Sequence, residues 1–189
     1  MRSEQNLLQD VLKKEEFEVY ISEEDIHRRT KELGRQIADD YEGRVPIFVG
    51  VLNGSFIFLA DLIREVPIDC EIDFLKISSY GDEKISSGNV SLLKALDCEI
   101  EDRDLIVVED IVDSGLSIQY MRKIITAMKP RSLKFVTLLL KERDNSIAAP
   151  IDYVGFRIPD KFVIGYGLDY KQKLRNLRAI YIEKESNVE

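Results

Sequence analysis

The chain has 189 residues, of which 44% are hydrophobic, and this is enough for one domain with its own core. Its 35 acidic and 27 basic side chains give a net charge of -8, which argues against a domain that binds nucleic acid through a basic face. With one histidine in the sequence, His27, catalysis by a serine-histidine-aspartate triad is disfavoured, and a carboxylate is the expected general base.

The first half of the chain alternates helical and extended patterns. Ser22 precedes three acidic residues and is expected to cap a helix that Gly43 ends. Further along, the pattern predicts a buried strand at 46–52, a helix at 56–64, another strand at 72–77 and a mobile loop or hairpin tip at 78–89.

The second half continues the same alternation. An aliphatic strand at 105–108 leads into a helix with apolar residues on one face from 118 to 128, and further strands are expected at 133–140, 151–156 and 162–167. Repeated strand-helix order predicts a parallel sheet covered by helices on both sides. Since ligands of such sheets bind beyond the carboxyl ends of the strands, those ends are where chemistry is expected.

The most informative segment runs from Val107 to Ser117. A buried strand leads into two adjacent carboxylates, and a turn with a third carboxylate, two hydroxyls and a glycine then opens a helix. Unpaired amides at a helix N-terminus favour a phosphate, and carboxylates accept hydrogen bonds from sugar hydroxyls or take a proton. A plain helix cap followed by a solvated turn would not need all these parts in one order, so a sugar phosphate with a diol and magnesium is the better interpretation.

This segment resembles the phosphoribosyl-pyrophosphate motif of type I phosphoribosyltransferases, and its Val-Glu-Asp-Ile form resembles the hypoxanthine-guanine branch. The family usually has threonine where two serines stand here. The resemblance implies that Glu109 and Asp110 hold the ribose hydroxyls and that Asp113 is the catalytic base, taking the N7 proton as N9 attacks. It also implies that Asp113, Ser114, Gly115, Leu116 and Ser117 surround the 5′-phosphate and that Ile111 lies against the base.

Two further segments carry the same resemblance. Residues 51–55 are similar to the pyrophosphate loop of the family, which implies that Leu52, Asn53 and Gly54 bind pyrophosphate and that the Leu52–Asn53 peptide is cis. The family often has a basic residue where Asn53 stands, so one charged contact is missing. Ser79 and Tyr80 are similar to the start of the flexible lid of the family, expected at 78–89, which excludes water during the reaction. Taken alone, residues 51–55 are more typical of an ordinary strand-to-helix turn, and the Ser79–Tyr80 segment is equally typical of a plain exposed hairpin.

The segment 156–170 resembles the purine-binding end of the family, although its apolar residues taken alone are typical of a core strand. The resemblance implies that Phe162 stacks on the base, that Val163 meets the purine edge through its backbone, and that Lys141 donates to the 6-oxo group. It further implies Mg²⁺ as cofactor, with Asp169, Glu109 and Asp110 as metal-site residues acting through water or substrate, and Arg175 facing the pyrophosphate.

For the chain as a whole the resemblance implies an α/β protein with the type I phosphoribosyltransferase fold. We expect a central, mostly parallel sheet flanked by helices, with a small hood formed by the two ends of the chain. Residues 1–189 are expected to form a single domain, with a core at about 40–150 and a hood from the N-terminal segment and about 151–189. The implied partners are phosphoribosyl pyrophosphate, a 6-oxopurine and further copies of the chain in a homodimer or homotetramer.

Several alternatives stay open at this point. A relative that keeps this fold but binds RNA would need a basic face, which the net charge opposes. A generic phosphate-binding domain would not need the purine segment, and a purely structural oligomer leaves the polar lid unexplained. Within enzymes, a relative that prefers xanthine or another 6-oxopurine is the nearest rival. The charged N-terminus lacks the pattern of a secretory signal, no segment is apolar enough for a membrane, and two isolated cysteines suit a reducing cytoplasm.

Overall fold

The computed structural model describes residues 17–79, 90–142 and 150–184. Two β-sheets and three helices lie in these ranges. The strands are β1 (Phe17–Ile21), β2 (Ile47–Leu52), β3 (Glu71–Ser79), β4 (Val90–Lys94), β5 (Asp104–Val112), β6 (Ser132–Lys141), β7 (Tyr153–Ile158), β8 (Val163–Ile164) and β9 (Ile180–Glu183). The helices are α1 (Glu23–Asp40), α2 (Phe56–Arg64) and α3 (Leu116–Thr126).

The larger sheet has six strands in the order β4-β3-β2-β5-β6-β7. All neighbours pair in parallel except β3 and β4, which pair antiparallel. The central strands are nearly continuous apolar runs because apolar clusters cover the sheet on both faces. The predicted α/β class with a mostly parallel sheet flanked by helices is confirmed.

The smaller sheet joins the two ends of the described chain. β1 pairs antiparallel with β9, which pairs antiparallel with the short β8. Phe17 thereby lies opposite Glu183. The strand at 153–158 pairs with β6 in the larger sheet instead. The division into a core and a hood, with the boundaries given above, stays a prediction.

The helix boundaries follow local signals in the sequence. The Ser22 hydroxyl accepts a hydrogen bond from the Asp25 amide at 3.1 Å and caps α1, as predicted. Gly43, with φ near +70°, lies in the turn after that helix. The predicted bounds of α2 are confirmed, and Gly115 takes a left-handed conformation directly before α3. No helix in the described ranges has the length and apolar composition that a bilayer crossing requires.

Two strands differ most in length from the prediction. β5 extends to Val112, so the acid pair lies inside the strand, because Glu109 and Ile111 continue the parallel register with Thr137 and Leu139 of β6. The predicted strand at 162–167 shrinks to two residues. Its second half turns instead, since three consecutive residues, Gly165, Tyr166 and Gly167, have positive φ.

Asp73 organises the hairpin side of the larger sheet. Its buried carboxylate accepts hydrogen bonds from the backbone amides of Phe74, Asp97 and Cys98 and lies 3.5 Å from the Lys94 ammonium. Burial raises the pKa of this carboxyl. The hydrogen bonds from Cys98, Phe74 and Asp97 lower the pKa by more than burial raises it, so the pKa falls to about 2. The ionised carboxylate therefore holds β3, β4 and the turn after β4 together.

Asp73→Asn should reduce the free energy of unfolding at neutral pH by about 2 kcal/mol, because the amide side chain brings a donor toward backbone donors. The folded pKa is depressed, so the carboxylate contributes stability above its unfolded pKa and loses it as pH falls toward about 2. Urea denaturation at several pH values should show the difference between wild type and variant shrinking below about pH 5. The exposed Asp69→Asn is the control, and a difference independent of pH would contradict the argument.

Candidate active site

A cavity of about 290 Å³ opens where the strands of the larger sheet end. It gathers residues from three separate parts of the sequence: the end of β5, the end of β6 and the segment around β8. Its walls are formed by Asp110, Ile111, Asp113, Lys141, Phe162, Val163, Leu168 and Asp169. All of these except Leu168 were singled out from the sequence, so the acidic strand end and the purine segment share one cavity.

A second and larger cavity, of about 660 Å³, lies elsewhere. It is bounded by α1, α2 and residues 176–178, and its wall carries side chains of both charges. None of the predicted site residues lines it. The smaller cavity is the candidate active site because its wall contains the predicted proton acceptor Asp113, the predicted donor Lys141 and the aromatic ring of Phe162.

Of the two acids at the end of β5, Glu109 is buried and Asp110 is partly buried. Burial, followed by the charge of Asp110, raises the pKa of Glu109 well above its ordinary value. The Glu109 Oε2 atom has no hydrogen-bond partner among the described residues. Burial also raises the pKa of Asp110 to about 6, although the Ile111 amide donates to its carboxylate at 2.9 Å. Such carboxylates suit a ligand that brings hydroxyl donors or a cation into the site.

Glycines let three segments meet around Asp110. A Cβ atom at Gly54 would lie 1.6 Å from the Asp110 Oδ2 atom, and a Cβ atom at Gly167 would lie 2.1 Å from the Gly54 carbonyl oxygen. The peptide between Leu52 and Asn53, directly before this contact, is cis, as the resemblance implied. The pyrophosphate-loop residues, the strand end and the turn after β8 are therefore in direct contact.

The turn between β5 and α3 presents the start of a helix to solvent. Ser114 is exposed, and its hydroxyl accepts from the Leu116 amide at 3.4 Å. Gly115 has φ near +78°, which lets the chain turn sharply into α3. The backbone N–H groups of residues 115–117 lie at the start of the helix, where no preceding turn supplies carbonyl acceptors for them. This turn can therefore bind an anion. Ser117 lies in the first turn of α3.

Lys141, the last residue of β6, lies between two carboxylates. Its side chain is only 13% exposed, and its ammonium group is 3.4 Å from Asp113 Oδ2 and 3.1 Å from Asp160 Oδ1. The predicted base and the predicted purine donor are thus adjacent. Asp160 was not singled out from the sequence, because the Pro-Asp pair before β8 is typical of a simple turn.

Phe162 projects from an aromatic cluster. Its ring centroid lies 6.2 Å from those of Phe17 and Tyr170, and the tilted arrangements are those that aromatic pairs prefer. Phe162 itself is 45% exposed and lines the cavity. Phe17 and Tyr170 pack against this ring. Neither was predicted as a site residue, because Phe17 is distant in sequence and Tyr170 lies in the irregular segment after β8.

Asp169 and Arg175 form an ion pair beside the cavity, with nitrogen and oxygen 2.7 Å apart. The Arg175 guanidinium also donates to the Gly167 carbonyl at 2.7 Å, and the Gln172 amide donates to Asp169 at 2.9 Å. Across the described residues, no group of three or more His, Cys, Asp or Glu side chains is arranged to hold a metal ion. A cation at this site would need oxygen ligands from a bound substrate.

The predicted lid falls largely outside the described residues. Ser79 is the last residue of β3 and pairs with Val90 of β4, whereas Tyr80 and the rest of the predicted lid up to residue 89 lie outside the described ranges. The two strands that flank this stretch form the antiparallel edge of the larger sheet.

Comparisons with known proteins agree with this geometry. The phosphoribosyl transferase domain family matches residues 22–171. The chain is 44% identical to a hypoxanthine-guanine phosphoribosyltransferase from Bacillus subtilis, over 88% of this chain and 92% of the relative. It is 45% identical to a hypoxanthine phosphoribosyltransferase from Escherichia coli, over 88% and 95%. A crystal structure of a hypoxanthine phosphoribosyltransferase from Staphylococcus aureus superposes with a TM-score of 0.86, at 40% identity, over 92% of this chain and 95% of that one.

Gly54→Ala should displace the Asp110 carboxylate, because the added methyl group would occupy the position of Oδ2. Overpacking of this kind costs about 1–3 kcal/mol of folding stability. The displacement can be measured in a crystal structure and the cost by urea denaturation. Gly43→Ala is the control, since no atom lies within 4 Å of its added methyl group, and its left-handed backbone alone should cost about 1–2 kcal/mol. An unmoved Asp110 in Gly54→Ala would refute the steric argument.

Proposed function

Since this chain belongs to the phosphoribosyl transferase family, we infer that it is a purine-salvage enzyme of the hypoxanthine-guanine type. It transfers the phosphoribosyl group of phosphoribosyl pyrophosphate to N9 of hypoxanthine or guanine, giving inosine or guanosine monophosphate and pyrophosphate. The observation that carries this conclusion is the single cavity that contains Asp113, Lys141 and Phe162 beside the acidic end of β5.

We propose that Lys141 and Asp113 recognise one edge of the purine. The 6-oxo group and N7 are neighbours on that edge, so a donor and an acceptor must lie side by side. The 3.4 Å between the Lys141 ammonium and the Asp113 carboxylate supports this assignment. Phe162 stacks on the purine face, Ile111 packs from the other side of the cavity, and backbone groups of Val163 meet the remaining edge. An ammonium donor favours a carbonyl over the amino group of adenine.

The chemical step we propose needs one proton acceptor. N9 attacks the anomeric carbon as the bond from that carbon to the pyrophosphate oxygen breaks. The N7 proton passes to the Asp113 carboxylate, and the electron pair left on the purine restores its neutral ring. Glu109 and Asp110 hold the ribose hydroxyls. The buried Glu109 Oε2 atom supports this role, because a diol would supply the donor that this atom lacks among the described residues.

We propose that the phosphate groups bind at two backbone sites. The turn formed by residues 113–117 surrounds the 5′-phosphate with the first amides of α3. Leu52, Asn53 and Gly54 offer backbone groups to the pyrophosphate, and Arg175 adds a positive charge. Ser79 and Tyr80 begin the lid that excludes water from the reacting sugar.

Magnesium is the cofactor that we propose. Mg²⁺ is usually bound by one or two carboxylates together with substrate phosphates and water, so the residues present fit it without a larger acidic cluster. Asp169 would hold it through water, with Glu109 and Asp110 acting through the substrate hydroxyls. Bound there, it supplies positive charge for the pyrophosphate leaving group.

We further propose that residues 1–189 act as one domain, with the core and hood boundaries given above, in a cytoplasmic homodimer or homotetramer. The apolar composition of α2, which leaves Phe56 exposed at its start, supports assembly with further copies. Two free cysteines in the described ranges suit a reducing compartment.

The direct test is an assay with phosphoribosyl pyrophosphate, magnesium and each of hypoxanthine, guanine, xanthine and adenine. Nucleotide formation with hypoxanthine or guanine is expected, with adenine much poorer. Activity with xanthine above that with hypoxanthine would favour the rival preference, and no activity with any purine would refute the proposal.

Asp113→Asn should lower kcat by about 10²- to 10⁴-fold, because the amide cannot accept the N7 proton. Binding of phosphoribosyl pyrophosphate, measured by calorimetry, should stay close to that of wild type, since the carboxylate acts on the purine. Unchanged turnover would remove Asp113 as the base, and lost binding would give it a role with the sugar phosphate instead.

Lys141→Met should reduce the preference for hypoxanthine over adenine by about 10- to 100-fold in kcat/KM, because a charged hydrogen bond to the 6-oxo group is lost. Lys123→Met on the exposed side of α3 removes the same charge away from the cavity and should leave the preference unchanged. Equal loss with both purines would mean that Lys141 does not read the 6-oxo group.

A further inference from the structure

The proposed purine donor, Lys141, has a second counter-ion, Asp160, that takes no part in the proposed chemical step. Lys141 is 3.1 Å from Asp160 and 3.4 Å from Asp113, so the carboxylate outside the proposed chemistry makes the shorter contact. Asp113 lines the cavity, whereas Asp160 is not part of its wall. Asp160 therefore reaches the ammonium group from the outer side, away from the place where a purine would bind.

The backbone fixes the relative positions of Lys141 and Asp160. Lys141 pairs with Ile158 at the end of the β6–β7 register, and the Glu142 amide donates to the Ile158 carbonyl at 2.8 Å. The Lys161 amide donates to the Pro159 carbonyl at 2.8 Å, which closes the turn that carries Asp160. The contact thus joins two segments that the sheet already holds in place.

We propose that Asp160 is a positioning residue that keeps the Lys141 ammonium oriented toward the 6-oxo group throughout the reaction. This inference rests on the proposed function. An ammonium group has three donors, so one can stay on Asp160 while another turns from Asp113 to the purine. Without Asp160, Asp113 would be the carboxylate that remains beside the Lys141 ammonium among the described residues, so no carboxylate there would hold the ammonium when it turns from Asp113 to the purine.

Asp160 matters most to the charge of the Lys141 ammonium group when the N7 proton passes to Asp113. As N9 bonds to the anomeric carbon and pyrophosphate leaves, the N7 proton neutralises Asp113. Lys141 loses a negative neighbour at that moment while its side chain is only 13% exposed to water. Asp160 gives up no charge in the step, so it continues to stabilise the ammonium group through the transition state.

Asp160→Asn tests the proposal by steady-state kinetics. We expect kcat with hypoxanthine to fall about tenfold and the KM for hypoxanthine to rise, with an unchanged KM for phosphoribosyl pyrophosphate. Asp160→Glu should recover most of the loss, because it restores the charge. Asp39→Asn removes an exposed acid from α1 and should change none of these constants.

A double-mutant cycle shows whether Asp160 acts through Lys141. In the Lys141→Met background, Asp160→Asn should have no further effect on kcat/KM for hypoxanthine. Independent, multiplying effects would overturn the proposal, as would wild-type kinetics for Asp160→Asn. A parallel loss of thermal stability together with changes in both KM values would mean a structural role and would overturn it too. Wild-type protein that forms no nucleotide would instead refute the proposed function, so the two failures are distinguishable.

Discussion

The site depends on how closely the backbone can approach one carboxylate. Asp110 Oδ2 lies where a side chain at residue 54 would begin, and the Gly54 carbonyl in turn lies where a side chain at residue 167 would begin. Three segments that are distant in sequence therefore meet through two residues without side chains. The end of β5, the loop after β2 and the turn after β8 are held in one arrangement by this contact, and the cavity lies beside it.

The electrostatics of the cavity suit a highly charged ligand. Glu109 is buried and Asp110 is partly buried, and both have raised pKa values, so the protein keeps acidic groups where water solvates them poorly. Arg175 pairs with Asp169 and Lys141 pairs with Asp113, and both carboxylates belong to residues that line the cavity. A substrate that brings hydroxyl groups, phosphates and a divalent cation can exchange these internal pairs for new ones. Such a preorganised arrangement changes little when charge moves during the reaction.

Local patterns predicted the parts of this structure that depend on neighbouring residues. The Ser22 cap, the bounds of α2 and the parallel sheet follow from short-range signals, and the segment 107–117 identified the acidic strand end. Tertiary pairing decided the rest. β5 is longer than predicted because β6 continues its register, and the support of Phe162 by Phe17 arises from pairing between the two ends of the chain. The ligand contacts assigned to individual residues stay predictions.

The pairing of β1 with β9 also affects how the protein matures on the ribosome. Strands β2 to β7 lie in one continuous stretch of sequence and can form their sheet while the chain is still being made. Phe17 precedes β2 in the chain, but its strand partner, Glu183, is synthesised only after all six strands of the larger sheet. The contact between Phe17 and Phe162 can therefore be held by strand pairing only after the larger sheet has been synthesised.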